Sequence, residues 1–142
     1  MRIWKKETDL VALDRRRENT LMRTLGIRMT EIGDDFLRAE MPVNSNTRQR
    51  HGLLHGGAYI ALAEALGSTA AILCTNEGMT CVGLEINANY LCTVRDGVVT
   101  GTARPLHIAS TKHVWEIRVE NAEGDLACIV RLTTAVIGRK SR

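Results

Sequence analysis

Residues 56–75 form a run of small and mostly apolar residues that contains a single charged side chain, Glu64. A run of this length and composition predicts one long helix that is apolar on all sides and is therefore buried in a core. An ionised carboxylate in such surroundings is costly unless it is paired, hydrogen-bonded or neutralised. We therefore expect Glu64 to have a function that offsets this cost, and catalysis is one such function.

A membrane span is the competing interpretation of this run. Its apolar part, residues 58–74, is at the short limit for crossing a bilayer and has Glu64 near its middle. The first seven residues carry positive charges, but the apolar segment that is typical of a secretory signal does not follow them. We expect a buried core helix, no membrane association and a cytoplasmic location.

The length of 142 residues is that of one ordinary domain, which we expect to span residues 1–142. The net charge of +3 is spread along the chain, and the five aromatic residues are too scattered for base stacking, so nucleic-acid binding is not expected. The four cysteines form no Cys-x-x-Cys pair, and we interpret them as reduced core residues. The basic residues 139–142 are expected to form a disordered tail.

Before the long helix, the pattern predicts two short helical segments. An amphipathic helix is predicted over residues 10–19 with Asp9 or Thr8 as its N-cap. A second helical turn is predicted over residues 21–25, and Gly26 ends it. We expect these segments to lie at an edge of the fold.

The rest of the chain predicts strands separated by short turns, which favour antiparallel pairing. The predicted strands are residues 27–31, 36–42, 81–91, 97–106, 114–121 and 126–137. A sheet of about six strands can bury a single apolar helix only by curving around it. The pattern therefore predicts an α+β fold with a curved antiparallel sheet wrapped around one long central helix and a helical edge at residues 1–26.

The motif His55-Gly56-Gly57, followed by Glu64 and by Gly67-Ser68, resembles the signature of hotdog-fold thioesterases. Within that superfamily the chain is similar to the bacterial aryl/acyl-CoA thioesterases. The stretches that carry the wider similarity are residues 3–5, 52–57, 82–88, 105–107 and 115–117. The resemblance implies a hotdog fold, a homodimer or dimer of dimers, and hydrolysis of acyl- or aryl-CoA thioesters without a metal or organic cofactor.

Thioester hydrolysis places negative charge on the carbonyl oxygen, and Gly56 is a candidate for stabilising that charge. The first N–H groups of a helix are unpaired and lie at the positive end of its dipole. The Gly56 N–H is therefore suited to act as an oxyanion donor. The structural alternative is that Gly56-Gly57 only permits a tight entry into the helix, and the resemblance favours the oxyanion interpretation.

Glu64 can act as a general base toward water or as a nucleophile that forms a mixed anhydride, and the sequence leaves both roles open. The structural alternative is a buried carboxylate paired with an arginine. Ser68 lies one turn further along the helix, on the same face. It can orient Glu64 or the water, or it can serve only as a small residue for helix packing.

Two further residues are assigned by their match to the family pattern. His55 is expected to hold the thioester carbonyl or the water, and Gln49 is expected to align them. His51 and His55 also have the i, i+4 spacing of a metal-binding pair, but the glycines on either side of His55 disfavour a helix there. We therefore predict no metal site.

Helix geometry separates His55 from Glu64. His55 precedes Glu64 by nine residues, which is about half a turn out of phase at 100° per residue and about 13 Å along a helix axis. One chain therefore cannot present both side chains to one substrate. A two-fold dimer can, if Gln49 and Gly56 accompany His55 on one subunit. Ser68 then accompanies Glu64 on the other subunit, and the resemblance implies the same arrangement.

The resemblance also points to residues that contact the substrate. These candidates are Tyr90, Gly57, Arg50, Leu91 and His107, and the function of His107 is left open. Tyr90 stands where close relatives often have His, and Cys92 where many have Arg, whose guanidinium binds phosphate through a bidentate fork. The cations that can replace that contact to coenzyme A, or can be plain surface charges, are Arg48, Arg50, Arg95 and Lys112.

Three functions remain open at this stage. An acyl-CoA or aryl-CoA thioesterase is favoured because Glu64, His55 and Gly56 match the family pattern together with Gln49. A thioesterase for carrier-protein-bound acyl or aryl groups is the enzymatic alternative. A non-catalytic acyl-binding hotdog protein is the third, since the fold alone does not fix the function.

Overall fold

The structure is a computed structural model that describes residues 1–140. Within these residues there are three helices and six strands. The helices are α1 (Leu10–Arg15), α2 (Leu21–Leu25) and α3 (Gly56–Leu73). The strands are β1 (Arg28–Ile32), β2 (Leu37–Pro42), β3 (Met79–Tyr90), β4 (Val98–Ile108), β5 (Lys112–Glu120) and β6 (Leu126–Gly138). A disordered tail is expected for residues 139–142, and of these residues 141 and 142 lie outside the described residues.

The strands form one antiparallel sheet in the order β1-β2-β4-β5-β6-β3. Helix α3 contacts every strand from β2 to β6. A helix is about 10 Å wide and neighbouring strands lie about 4.8 Å apart, so a flat sheet could not place five strands against one helix. The predicted α+β fold with a curved sheet around a central helix is confirmed.

The first two helices start where the sequence predicts. The Asp9 carboxylate accepts the Ala12 N–H at 2.8 Å and caps α1. Helix α1 ends four residues earlier than predicted, because the chain tightens into i→i+3 turns and then reverses at Asn19, where φ is +59°. Helix α2 ends as predicted at Gly26, whose φ of +73° is the left-handed conformation that glycine adopts without strain.

Two glycines set how closely α3 approaches the sheet. A β-carbon on Gly67 would lie 2.6 Å from Leu132 Cδ2, and one on Gly101 would lie 2.7 Å from Leu66 Cδ1. Leu66 and Leu132 are both fully buried. Because these contacts leave no free space, the packing of the core fixes which face of α3 points away from the sheet.

That opposite face of α3 is not covered by the sheet. Glu64 is exposed, and its neighbours Ala61, Ser68 and Ile72 are only half-buried. The expectation of a helix that is buried on all sides is therefore wrong for the single chain, because the sheet covers one half of α3 and α2 covers part of the other. Glu64 lies at the surface of the chain.

Helix α3 also has the length and apolar composition of a membrane span, which holds for no other helix within residues 1–140. Half of its 18 residues are buried inside the fold. The core helix of a globular protein passes the same test of length and composition. The packing of α3 against β2 to β6 agrees with the core-helix interpretation.

The two edges of the sheet differ. Strand β1 is five residues long and is contacted by α1. Strand β3 is twelve residues long, pairs only with β6 among the described strands, and exposes Val82 and Leu84. A long open edge with exposed apolar side chains is a template for pairing with another chain.

Three of the four cysteines lie in the core. Burial raises the pKa of Cys74 to about 12 and that of Cys128 to about 11, and it raises the pKa of Cys81 as well. All four are free thiols, as the sequence predicts. Cys92 is the exception to the core assignment: it is exposed because it follows the end of β3.

Candidate active site

His55 is the N-cap of α3. Its backbone is extended (φ −65°, ψ 136°), and its Nδ1 accepts the Gly57 N–H at 2.8 Å. A nitrogen that accepts a hydrogen bond carries no proton, so the neutral imidazole has its proton on Nε2. The cap therefore leaves Nε2–H of an exposed histidine available as a donor.

The loop before α3 is held by backbone hydrogen bonds. The His55 N–H donates to Thr47 O at 2.8 Å, and the Leu54 N–H donates to Val94 O at 2.7 Å. Within this loop the Gln49 side-chain oxygen accepts the His51 N–H. With its oxygen occupied in this way, Gln49 offers its amide N–H groups to a ligand.

Gly56 is the first residue of α3, so its N–H has no acceptor within the helix. Its carbonyl oxygen accepts the Tyr90 hydroxyl at 2.9 Å. A β-carbon on Gly56 would lie 3.0 Å from the Tyr90 hydroxyl oxygen, and one on Gly57 would lie 3.0 Å from His55 Nδ1. A side chain at either glycine would therefore press against Tyr90 or His55, which would have to shift to make room.

Glu64 and Ser68 line an open groove between α2 and α3 with a volume of about 530 Å³. Most of the groove is apolar, and its walls include Leu21, Met22 and Ile60. On the side away from α2, Glu64 Oε1 lies 3.6 Å from the position of a β-carbon on Gly83 of β3. The carboxylate thus lies between an apolar groove and the open edge strand.

His55 does not line the groove that contains Glu64. It lines a smaller cavity of about 240 Å³ together with Arg48 and Leu25. The two cavities share Leu21, Gly57 and Ala61 but present different polar side chains. This separation within one chain agrees with the half-turn offset expected from the sequence.

The other residues assigned from the family pattern are spread over the surface. Arg50 and Leu91 are exposed. His107 lies toward the far end of β4, opposite Val114, whereas the N-terminus of α3 meets the other end of the sheet at Tyr90. Within one chain, the structure therefore does not bring His107 to Gly56.

Two tyrosines lie beside the N-terminus of α3. Burial, with smaller contributions from Cys128, Cys92 and Tyr90, raises the pKa of Tyr59 to about 12, and burial also raises the pKa of Tyr90. Both phenols therefore stay protonated at neutral pH and can donate hydrogen bonds. Among the described residues, no group of three or more His, Cys, Asp or Glu side chains is arranged to hold a metal.

The sequence interpretation missed the wall of the groove. Leu21, Met22 and Ile27 line it, although they were considered only as parts of an edge helix and a strand. No sequence signal marked these residues: that Leu21 is 61% accessible at the start of a five-residue helix is visible only in the structure. Leu21 therefore presents apolar surface that is not packed against the core.

Comparisons with known proteins establish the family of the chain. A family model described as the thioesterase superfamily matches residues 51–128. The 1,4-dihydroxy-2-naphthoyl-CoA hydrolase of Escherichia coli (strain K12) is 48% identical over 135 residues, which are 95% of this chain and 99% of that protein.

Two solved structures extend the similarity to the fold. A thioesterase of Haemophilus influenzae has a TM-score of 0.94 at 44% identity, covering 96% of this chain and 95% of that chain. A mutant thioesterase of Pseudomonas aeruginosa has the same TM-score at 46% identity, covering 96% of this chain and 99% of that chain. The chain belongs to the thioesterase superfamily and is a thioester hydrolase with the hotdog fold.

Proposed function

We propose that the chain hydrolyses acyl- or aryl-CoA thioesters at a site shared by two subunits of a homodimer. Glu64 of one subunit then faces His55 and Gly56 of the other. The observation that carries the proposal is the position of these groups along β3. Glu64 Oε1 lies beside Gly83, and Gly56 lies beneath Tyr90, seven residues further along the same open edge.

An open strand of this length can pair with the same strand of a second copy, which satisfies the N–H and C=O groups along both edges. A two-fold axis beside Asn87 pairs this residue with its own copy and brings Gly83 to within one residue of the level of the partner subunit's Tyr90. Glu64 then meets the oxyanion donor of the other subunit across the interface. This pairing also covers the exposed Val82 and Leu84.

Three donors converge on the thioester carbonyl in this arrangement. The Gly56 N–H lies at the positive end of α3 and acts on the oxyanion. The Nε2–H of His55 and the amide N–H groups of Gln49 are also available, because Nδ1 and the Gln49 oxygen already accept backbone N–H groups. The carbonyl is thereby polarised for attack.

Glu64 supplies the attacking group. As a general base it takes a proton from water while the water oxygen bonds to the carbonyl carbon, and the C–S bond then breaks. As a nucleophile it bonds to that carbon itself, expels the thiolate and leaves a mixed anhydride that water hydrolyses. In either case the thiolate of coenzyme A receives a proton and the free acid is released.

The apolar groove beside Glu64 is suited to the acyl or aryl group. Its volume of about 530 Å³ lies within the range of small-molecule pockets, and apolar side chains form most of its lining. For the coenzyme A portion, Arg48 is a candidate. Its Nε donates to Arg95 O at 3.1 Å, which holds the guanidinium near the cavity that His55 lines.

The experiment compares wild type with Glu64→Gln on a panel of aryl-, short-chain and medium-chain CoA thioesters and on the matching carrier-protein thioesters. We expect the variant to lose at least about 100-fold in kcat, because the base or nucleophile is removed. Glu123→Gln is the matched control, since Glu123 is an exposed residue of the turn before β6. Equal rates for wild type and Glu64→Gln would contradict the proposal.

An isotope-labelling experiment on the wild-type enzyme addresses whether Glu64 acts as a base or as a nucleophile. A single turnover in ¹⁸O-labelled water transfers label into the Glu64 carboxylate only if a mixed anhydride forms and water attacks its Glu64 carbonyl. Label that appears only in the product acid is expected of a general base, and also of a mixed anhydride that water attacks at its acyl carbonyl. A preference for carrier-protein substrates over CoA thioesters would contradict the substrate assignment.

A further inference from the structure

We propose that Tyr90 is a positioning residue for the oxyanion site: its hydroxyl fixes the Gly56–Gly57 peptide and, through it, the imidazole of His55. The inference rests on the proposed function of Gly56 and His55 in thioester hydrolysis. It assigns Tyr90 a role toward the protein backbone, whereas the family resemblance placed it among the residues that contact substrate.

The Gly56–Gly57 peptide is held at both of its polar atoms. Its carbonyl oxygen accepts the Tyr90 hydroxyl at 2.9 Å. Its N–H donates to His55 Nδ1 at 2.8 Å. Rotation of this peptide weakens both hydrogen bonds at once, so the orientation of the His55 ring depends on the Tyr90 hydroxyl.

Tyr90 is itself fixed to the sheet. It is the last residue of β3 and lies opposite Cys128 of β6. Its ring makes an edge contact with Tyr59, with centroids 5.6 Å apart and planes at 60°. Tyr59 is only 3% exposed, so packing in the core holds the Tyr59 ring of this pair in place. The hydroxyl therefore links the sheet to the N-terminus of α3.

The close fit around the peptide supports a positioning role. A β-carbon on Gly56 would lie 3.0 Å from the Tyr90 hydroxyl oxygen and 3.2 Å from Cζ. Within the single chain Tyr90 is 53% exposed, so core packing alone does not account for its position. Its specific contribution is the hydrogen bond to Gly56.

The consequence for catalysis is preorganisation. Donors stabilise a developing oxyanion best when they already point at it and do not have to reorient during the reaction. The Gly56 N–H belongs to the preceding peptide, which joins the held peptide at the Gly56 α-carbon. Loss of the Tyr90 hydroxyl therefore loosens the Gly56 N–H and the His55 Nε2–H together.

The test is Tyr90→Phe, which keeps the aromatic edge contact and removes the hydroxyl. We expect kcat to fall about tenfold, which corresponds to the free energy of about one hydrogen bond, because the oxyanion donors are less well oriented, with KM changed less than twofold. We expect the thermal midpoint to stay unchanged and the Gly57 amide to exchange faster with solvent in NMR. A merely structural role would lower the thermal midpoint and leave kcat unchanged.

Tyr59→Phe is the matched control, because it removes a phenolic hydroxyl from the same aromatic pair and leaves both hydrogen bonds of the peptide in place. Wild-type kcat in Tyr90→Phe would overturn the inference, and so would a raised KM at unchanged kcat, which would put the hydroxyl on the substrate. Glu64→Gln is assayed in parallel. If it remains active, the proposed function fails; if it is inactive and Tyr90→Phe is normal, only this inference fails.

Discussion

The Glu64 carboxylate lies over Gly83, with Oε1 3.6 Å from the position that a β-carbon on Gly83 would occupy. The carboxylate is thus held where the inner face of β3 has no side chain. A methyl group at Gly83 makes an ordinary van der Waals contact with Glu64. A larger side chain needs the space that the carboxylate occupies.

We therefore expect Gly83→Val to lower kcat by about tenfold or more, because a displacement of about 1 Å in a catalytic group is costly. Gly83→Ala is the matched control and retains most of the activity. Both variants are compared by steady-state hydrolysis and by thermal unfolding. Full activity in a folded Gly83→Val would contradict the contact between Gly83 and the reacting carboxylate.

His55 has a structural role as the N-cap of α3 and a proposed role as a hydrogen-bond donor to the substrate, and substitution can separate the two. His55→Ala removes the N-cap and costs about 1 kcal/mol of the free energy of unfolding. Asn is a good N-cap, so His55→Asn keeps that stability. We expect both variants to lose activity, since neither has the Nε2–H donor. Denaturation in urea and hydrolysis assays measure the two effects, and an active His55→Asn would count against the donor role.

The strands and α3 were predictable because their periodicity and turn residues are local signals. The exposure of Glu64 was not, because a sequence that is apolar around a whole helix does not state which face the sheet covers. The hydrogen bond between Tyr90 and Gly56 joins positions 34 residues apart, so no local pattern encodes it. The His55 cap was also missed, because histidine is not a common N-cap residue.

His113 makes stability depend on pH. It is buried, and burial, with smaller contributions from Lys5 and His107, lowers its pKa from the ordinary 6.5. The unfolded chain binds a proton near pH 6.5, whereas the folded chain binds it only at lower pH. The stability is therefore complete above pH 6.5 and is lost as the pH falls from 6.5 through the lowered pKa.

The variant that isolates this effect is His113→Gln, which cannot take up the proton. We expect its free energy of unfolding to fall less than that of wild type between neutral and acidic pH. Urea denaturation at several pH values measures the difference. Parallel pH profiles for the two proteins would show that His113 does not contribute.

The proposed dimer makes a geometric prediction for β3. Asn87 is exposed on the outer face next to the proposed two-fold axis. In a Cys92→Ser background, we expect Asn87→Cys to form an intersubunit disulfide under oxidising conditions, because an antiparallel pair at this register brings the two α-carbons within about 6 Å. Arg118→Cys on β5 is the control, since it lies two strands from the open edge. Equal cross-linking of the two variants would contradict the pairing.

The shared site is tested most directly by mixing two inactive enzymes, Glu64→Ala and His55→Ala, and allowing their subunits to exchange. A heterodimer then has one site with both groups intact and one site with neither. We expect recovery to about a quarter of wild-type activity per subunit, because half of the randomly paired dimers are heterodimers with one working site. No recovery after subunit exchange has been demonstrated would contradict a site built from two chains.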